Sequence, residues 1–329
     1  MTDDLAEMTL SLTDHTRFLV TTAARAPSVH NTQPWRFRVS ARAVELWCDP
    51  VRKLKTDAAG REMLISCGAA LFGLRLAIRS LGVIPVTELL PDPARLRLMA
   101  RVTVGTAMPA DEWELRMLRA VPHRHTHRGP FAPGPLSAGL VAGLQHDALA
   151  EGALLALVDG GLAYDRLAGF VAAAARRGDR DSVARAEIRR WTRGRASTAR
   201  DGVPALAFTA AAGHRPGTLQ QRDFDLGRGL GRLAAGGEPP PVTAVLLTDR
   251  DSRGSWLRAG QALQRLLLHA ATGWVFASLH TQPLENAATR RLIQDRLALP
   301  GRPQMVLQLG RSATTLATAR RGPQDLAEP

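Results

Sequence analysis

The stretch Ala26-Pro27-Ser28-Val29-His30-Asn31-Thr32-Gln33-Pro34-Trp35 decides how the rest of the chain is read. Pro27 and Pro34 fix the backbone at its two ends. Between them Ser28, Asn31 and Gln33 carry short polar groups that favour a turn over helix or strand. Such a turn has two uses. Its hydroxyl and amides can cap their own backbone, or they can bond the carbonyls and ring nitrogens of a planar heterocycle, which side-chain amides suit well. On residue chemistry alone the capped turn is preferred.

Outward from the turn, Leu10, Phe18, Leu19 and Ala23 form a rough helical stripe that predicts a helix over 9–25. Residues 35–40 and 43–48 read as strands. Residues 61–76, REMLISCGAALFGLRL, predict a long helix whose small residues suit close packing, and 96–106 alternates as a strand. The second half repeats this order: strands at 153–159 and 242–248, a helix over 257–268, and a strand at 304–310. Placing Gly68 on Gly260 aligns Ala70 with Ala262, Leu71 with Leu263, Leu74 with Leu266 and Leu76 with Leu268. The chain therefore reads as α+β with an internal duplication, one unit over 1–121 and another over 122–329. Within the second, 210–241 carries GHRPGT, GRGLGR and GGEPPP without periodicity. A stretch of that kind is either disordered or a functional lid.

Composition narrows the class. A chain of 329 residues with 45% hydrophobic residues is long enough for about two domain-sized cores. Cys48 and Cys67 could form one disulfide at most and show no zinc-site spacing, which fits a reducing compartment. No apolar run approaches ~20 residues and the first ten residues are acidic, so neither a spanning helix nor a secretory leader is expected. The expectation is a cytoplasmic protein. The net charge of +13 comes almost wholly from arginine, since Lys53 and Lys55 are the only lysines. Those arginines are scattered and only one tyrosine accompanies them, so solvated faces explain the charge better than nucleic-acid binding.

One basic cluster is concentrated: His123-Arg124-His125-Thr126-His127-Arg128-Gly129-Pro130-Phe131. Guanidinium forks of this density suit a phosphate. The alternating His123, His125 and His127 could instead share a strand face around a metal. No carboxylate or cysteine accompanies them, however, and the arginines would repel a cation. An exposed basic edge strand is preferred to the metal site. No nucleophile triad or metalloprotease signature appears, and Gly227-x-Gly229-x-Gly231 lacks the preceding strand of a dinucleotide fingerprint. No protein acid, base or nucleophile is expected to be catalytic.

The opening stretch, extended from Arg25 through Phe37, resembles the signature of the nitroreductase-like flavoproteins. With His30 before Asn31 it is similar to the Acg-type subfamily. That resemblance implies a nitroreductase-like α+β fold and bound FMN, with Pro27, Ser28, Asn31 and Gln33 contacting the cofactor. By the same resemblance, Arg124, His125, Thr126 and Arg128 hold the flavin phosphate and part of the ring edge, Arg128 facing the N1–C2=O side. The segment Thr281-Gln282-Pro283-Leu284-Glu285-Asn286 resembles the family's Pro-x-Glu loop, so Pro283, Leu284 and Glu285 are expected beside the ring. The tail, Ala319-Arg320-Arg321-Gly322-Pro323, resembles the family's basic ending. Arg320 or Arg321 would complete the phosphate clamp, Arg321 being better placed relative to Pro323.

The first half holds the turn, whereas the second holds the clamp, the loop and the tail. This distribution resembles a fused nitroreductase dimer that kept one of two sites, a monomer mimicking a dimer with one flavin between its halves. The activity implied is reduction of nitroaromatic or quinone-like acceptors by NAD(P)H at the flavin. The competing implication is a flavin-sequestering protein, closed by 210–241 and turning over little nicotinamide.

Overall fold

In the computed structural model, residues 10–158, 160–208, 219–232, 241–312, 316 and 318–328 are described. A 3-10 turn (Leu12–His15) leads into α1 (Thr16–Ala24), a shorter helix than the apolar stripe predicts. The Ser28-to-Gln33 turn follows, then the hairpin β1 (Trp35–Val39) and β2 (Ala43–Cys48). Alternation in this hairpin is strict. Trp35, Phe37, Val44 and Leu46 are buried, while Arg38 and Glu45 pair across the strands.

The long helix α2 (Arg61–Arg79) starts after Gly60, whose φ of 74° puts it in the left-handed region. Asp57 caps it, its Oδ2 accepting from the Met63 N–H at 2.9 Å. Every residue of α2 except Arg75 is buried, which marks it as a helix covered on all sides. Then come β3 (Val83–Leu89), β4 (Leu98–Ala107) and α3 (Glu112–Ala120), the last capped by Asp111 and Glu114 in a reciprocal box.

The second half runs α4 (Ala138–Ala150), β5 (Leu154–Leu157), α5 (Leu162–Arg180), α6 (Ser182–Trp191), and a short parallel pair, β6 (Thr192–Arg193) with β7 (Val203–Pro204). After it come β8 (Val242–Thr248), α7 (Arg253–Thr272), β9 (Val275–Leu279), α8 (Ala287–Arg296), β10 (Arg302–Arg311), α9 (Pro323–Leu326) and β11 (Ala327–Glu328). Val242–Thr248 shows no alternation because both its faces are covered. Ala244 and Leu246 join the core under α7, while Val245 and Leu247 join a second core with Leu167 of α5 and Ile293 of α8.

Two sheets result. One has the order β11-β1-β2-β4-β3 and the other β5-β8-β10-β9. Within both, the shared four-strand pattern is antiparallel throughout, in the order first, second, fourth, third. A long helix, α2 or α7, lies between the second and third strands in the chain, and a shorter one, α1 or α4, precedes the first. The tail of the second half returns to the first, where β11 pairs with β1 at the sheet edge. Within the second half, Thr126 bridges Ala277 and Ala132 bridges Arg311.

Between the sheets α2 crosses α7 at Gly68 and Gly260. A β-carbon on Gly68 would lie 2.1 Å from the Leu257 carbonyl oxygen, and one on Gly260 would lie 2.0 Å from that of Ile65. Only glycine permits this approach at either position. The Gly68–Gly260 superposition made on sequence thus matches the crossing point of the two helices.

Candidate functional site

The turn after α1 is strained. His30, Asn31 and Gln33 have φ of 48°, 56° and 50°, a left-handed conformation that L-residues adopt at a cost of roughly 1–2 kcal/mol each. Hydrogen bonds hold it there. Ser28 Oγ accepts from the Gln33 N–H at 3.0 Å, and the Ser28 carbonyl accepts from the Asn31 N–H at 2.9 Å. Asn31 Nδ2 donates to the carbonyls of Gly202 (3.0 Å) and Ala319 (3.1 Å). Gln33 Nε2 donates to the Arg200 carbonyl at 2.8 Å, while its Oε1 accepts from the Arg321 N–H at 2.8 Å. Asn31 and Gln33 therefore fasten the turn to the 200–202 loop and to the tail. Pro27, Ser28, Val29 and His30 face a cleft instead.

That cleft, of about 670 Å³ counted to its open mouth, has four further walls. Glu62, Ile65 and Ser66 come from the first turns of α2, and Leu263 from α7. Thr126 and Arg128 come from the basic cluster. Leu279, Thr281 and Met305 come from β9, the loop after it and β10. Gln221, Arg222 and Phe224 come from the described part of 210–241. That segment is fixed in place: Gln221 Nε2 donates to Ser278 Oγ at 2.6 Å, Arg222 pairs with Glu285, and Phe224 meets the His30 ring edge-on at 5.4 Å. The rest of the expected lid, 210–218 and 233–240, lies outside the described residues.

The basic cluster is sorted by its bridge to β9. The His127 N–H donates to the Ala277 carbonyl at 2.8 Å, and Thr126 and Arg128 face the cleft. His125 and His127 turn the other way, into aromatic neighbours. The His125 ring lies 4.3 Å from Phe276 and the His127 ring 4.7 Å from Phe131. Burial lowers His125 to about 4 and pushes His127 down as well, so both rings are neutral. His125 thus stands behind the cleft wall rather than in it, and the segment is no exposed edge strand. Among the described residues, no group of three His, Cys, Asp or Glu could hold a metal.

Beside the cleft four arginines crowd together. Arg124 Nη2 donates to the Arg25 carbonyl at 2.9 Å, and Arg320 Nε to that of Ala24 at 3.1 Å, near the C-terminal end of α1. Arg124 Nε and Nη1 are buried with no hydrogen-bond partner among the described residues. Among the described residues, no carboxylate pairs with Arg124, Arg128 or Arg320. Burial and then the charge of Arg25 lower Arg124 to about 10, and burial and then Arg222 lower Arg128 to about 10. Arg320 falls well below the usual guanidinium range through burial and the charges of Arg124, Arg25 and Arg128. The two unmet N–H groups of Arg124, beside the charges of Arg25, Arg128 and Arg320, could hold an anion.

The tail splits the two candidate arginines. Arg320 joins the cluster. Arg321, the better placed on sequence, donates instead to the carbonyls of Gln33 (3.4 Å) and Asp325 (2.7 Å). The Pro-x-Glu segment is also divided. Leu284 is fully buried in the second core and Pro283 is buried beside it, so neither lines the cleft. Thr281 lines it, and Glu285 reaches its edge through Arg222.

No family model matches the chain. It is 34% identical to "Putative NAD(P)H nitroreductase Rv3131" of Mycobacterium tuberculosis over 298 residues, covering 89% of this chain and 84% of that one. It is 30% identical to "Putative NAD(P)H nitroreductase acg" of the same organism over 307 residues, 92% of this chain and 90% of that one. The chain belongs to the Acg-type nitroreductase-like family. Among solved structures, the FMN-dependent nitroreductase NfnB from Mycobacterium smegmatis, in complex with NADPH, aligns at 14% identity and a TM-score of 0.40. That alignment spans 66% of this chain and 99% of NfnB.

In this Acg-type chain several motif residues line the cleft, and the motifs omit others that line it too. Arg25, His30, Glu62, Ser66, Arg222 and Phe224 were not among the expected contacts, although all but Arg25 line the cleft. Glu62 was the most legible of them, a charge in an apolar helical run, one turn before Ser66. His30 is buried, and desolvation followed by the charges of Arg222 and Arg128 pushes its ring well below the ordinary imidazole range, so it is neutral. No helix among the described residues is long and apolar enough to cross a membrane.

Proposed function

We propose that this chain is an FMN-dependent oxidoreductase of nitroreductase type, holding one flavin in the Ser28–Glu62–Thr126 cleft and passing electrons from NAD(P)H to a small planar acceptor. The observation that carries the reading is the unpartnered, buried edge of Arg124 among Arg25, Arg128 and Arg320. An FMN phosphate would satisfy both N–H groups and offset part of the cluster's charge.

When bound, the isoalloxazine supplies the two-electron chemistry, and the chain's own residues position and shield it. Arg124 and Arg320 would hold the phosphate. Arg128, stacked 5.2 Å over Phe224, offers a positive charge to the ring edge. Ile65, Leu263 and Met305 provide apolar walls that exclude water, and the strained turn brings Ser28 and His30 to the opposite side. Added FMN should bind with one molecule per chain and quench its own fluorescence. Colourless protein that ignores FMN would end the proposal.

The single site is part of the reading. Matched strand orders, the α2–α7 crossing at paired glycines and the pairing of the tail with β1 support descent from a fused dimer, with units over 1–121 and 122–329. Under the Gly68–Gly260 alignment the counterparts of Glu62 and Ser66 are Gly254 and Arg258. A stoichiometry near two would contradict the single site.

One observation favours a sequestering role instead. Gln221 and Arg222 bind Ser278 and Glu285 across the cleft and hold 219–232 closed. Anaerobic mixing of the FMN-loaded protein with NADPH separates the readings: rapid bleaching of the flavin supports turnover, and persistent yellow colour supports sequestration. Arg222→Ala should then speed flavin release in either case.

A further inference from the structure

Glu62 is the one carboxyl of the described cleft wall, and none of the described residues satisfies it with a hydrogen bond. It sits in the first turn of α2, 4% exposed, and both its oxygens are buried without a hydrogen-bond partner. Arg61 Nη2 stands 3.6 Å from Oε1, outside hydrogen-bond reach, while Arg61 Nη1 donates to the Gln304 carbonyl at 2.8 Å and to Gln304 Oε1 at 3.1 Å. Ser66, one turn on, turns its hydroxyl to the Glu62 carbonyl at 2.7 Å and leaves the carboxyl alone.

The charges facing Glu62 come from three elements. Asp57 precedes α2 and Arg61 begins it, while Glu285 and Arg222 face it from the ion pair at the cleft edge. The neutral His30 ring shares the cleft wall. Burial and then the Glu285 charge raise Glu62 to about 8, against Arg61; Asp57 adds to the rise and Arg222 opposes it. At neutral pH the group is a carboxylic acid, a donor with no acceptor among the described residues.

We propose that Glu62 is the proton-holding residue of the cleft, donating a hydrogen bond to an acceptor atom of the bound flavin ring and keeping a proton when reduction leaves negative charge beside it. This rests on the FMN reading and goes beyond it. In balance, NAD(P)H gives up a hydride, two electrons and one proton, and departs as NAD(P)⁺. The ring gains one negative charge. Where Glu62 is ionised beforehand, a second proton moves from solvent to its carboxylate, because two adjacent anions cannot both persist in a buried site.

The test is the midpoint potential of the FMN-loaded protein, measured against pH. Above about pH 8 the wild type should take up about one more proton per two electrons than Glu62→Gln does, and below about pH 7 the two should run parallel. Glu285→Gln removes the second cause of the raised value, so its break should come at lower pH. Equal proton uptake by wild type and Glu62→Gln above pH 8, with FMN bound in both, overturns the inference and leaves the flavin reading intact. Failure of the wild type to take FMN removes both. Independently, infrared spectra of the flavin-free protein should show a neutral carboxyl band at about pH 7 that Glu62→Gln lacks. A carboxylate there instead would also overturn the assignment.

Discussion

Gly68 and Gly260 meet where α2 crosses α7, and the Cα of Gly68 would lie 2.8 Å from a β-carbon placed on Gly260. The neighbours that such a methyl would strike are backbone atoms of the facing helix, which cannot rotate aside. The helices would have to separate, and with them the two sheets they join. Gly68→Ala or Gly260→Ala should therefore lower stability by about 1–3 kcal/mol or more, despite the better helix propensity of alanine. Thermal or denaturant unfolding checks this; a neutral or stabilising result would mean that the helices do not approach so closely.

Arg124 is a buried cation with two N–H groups unpartnered among the described residues. Arg124→Met should weaken FMN binding by about 10²–10⁴-fold, the value of two charge-assisted bonds. The same change should stabilise the flavin-free protein by roughly 1–2 kcal/mol, because it removes an unpaired charge from the interior. Titration calorimetry and flavin-free melting read the two effects separately. Loss of flavin affinity together with loss of flavin-free stability would point to a structural role for Arg124 alone.

Asn31 is placed by the structure as a fastener. Asn31→Ala deletes the bonds to Gly202 and Ala319 and puts a less tolerant residue at a φ of 56°. The expected result is a loss of about 2–4 kcal/mol, with little change in the visible spectrum of bound FMN. A spectral shift at unchanged stability would instead place the amide against the ring.

The raised value of Glu62 has a consequence for folding. Its ordinary value is 4.5 and its folded value about 8, so between those pH values the folded chain binds a proton that the unfolded chain has released. Stability from this group is present below about 4.5 and falls as pH rises towards 8. Relative to wild type, Glu62→Gln should gain a few kcal/mol over that interval, since each tenfold difference in proton affinity between the two states is worth roughly 1.4 kcal/mol. Chemical denaturation at several pH values checks the slope.

How much of this could be read in advance depended on whether local chemistry or distant packing set the outcome. The hairpin 35–48 and the strand Val242–Thr248 announced themselves, since alternation and apolar runs are local signals. The long helices were legible in their centres, and Gly68 with Gly260 gave their register. By contrast, α4 spreads its apolar residues round the helix, and only Leu144, Asp147 and Ala148 are buried, so it presents no stripe. In α5, Leu167, Val171 and Ala175 repeat at helical spacing and could have been found. Ser28, Thr126 and Arg128, named by motif, line the cleft. Asn31 and Gln33 were assigned to the ligand because an amide looks the same whether it bonds a ring or a carbonyl far along the chain, as with Gly202. Choosing Arg320 over Arg321 depended on how the tail crosses α1, which spacing from Pro323 does not encode.

The returning tail ties these halves mechanically. Residues 327–328, from the second half, close the edge of the first sheet beside β1, so that sheet is hemmed by chain belonging to the other half. Peeling the halves apart would unzip this border, and Arg320 would leave the arginine cluster with the departing strand. The molecule should accordingly melt in one concerted transition, and its two halves, expressed separately, should function only after finding each other.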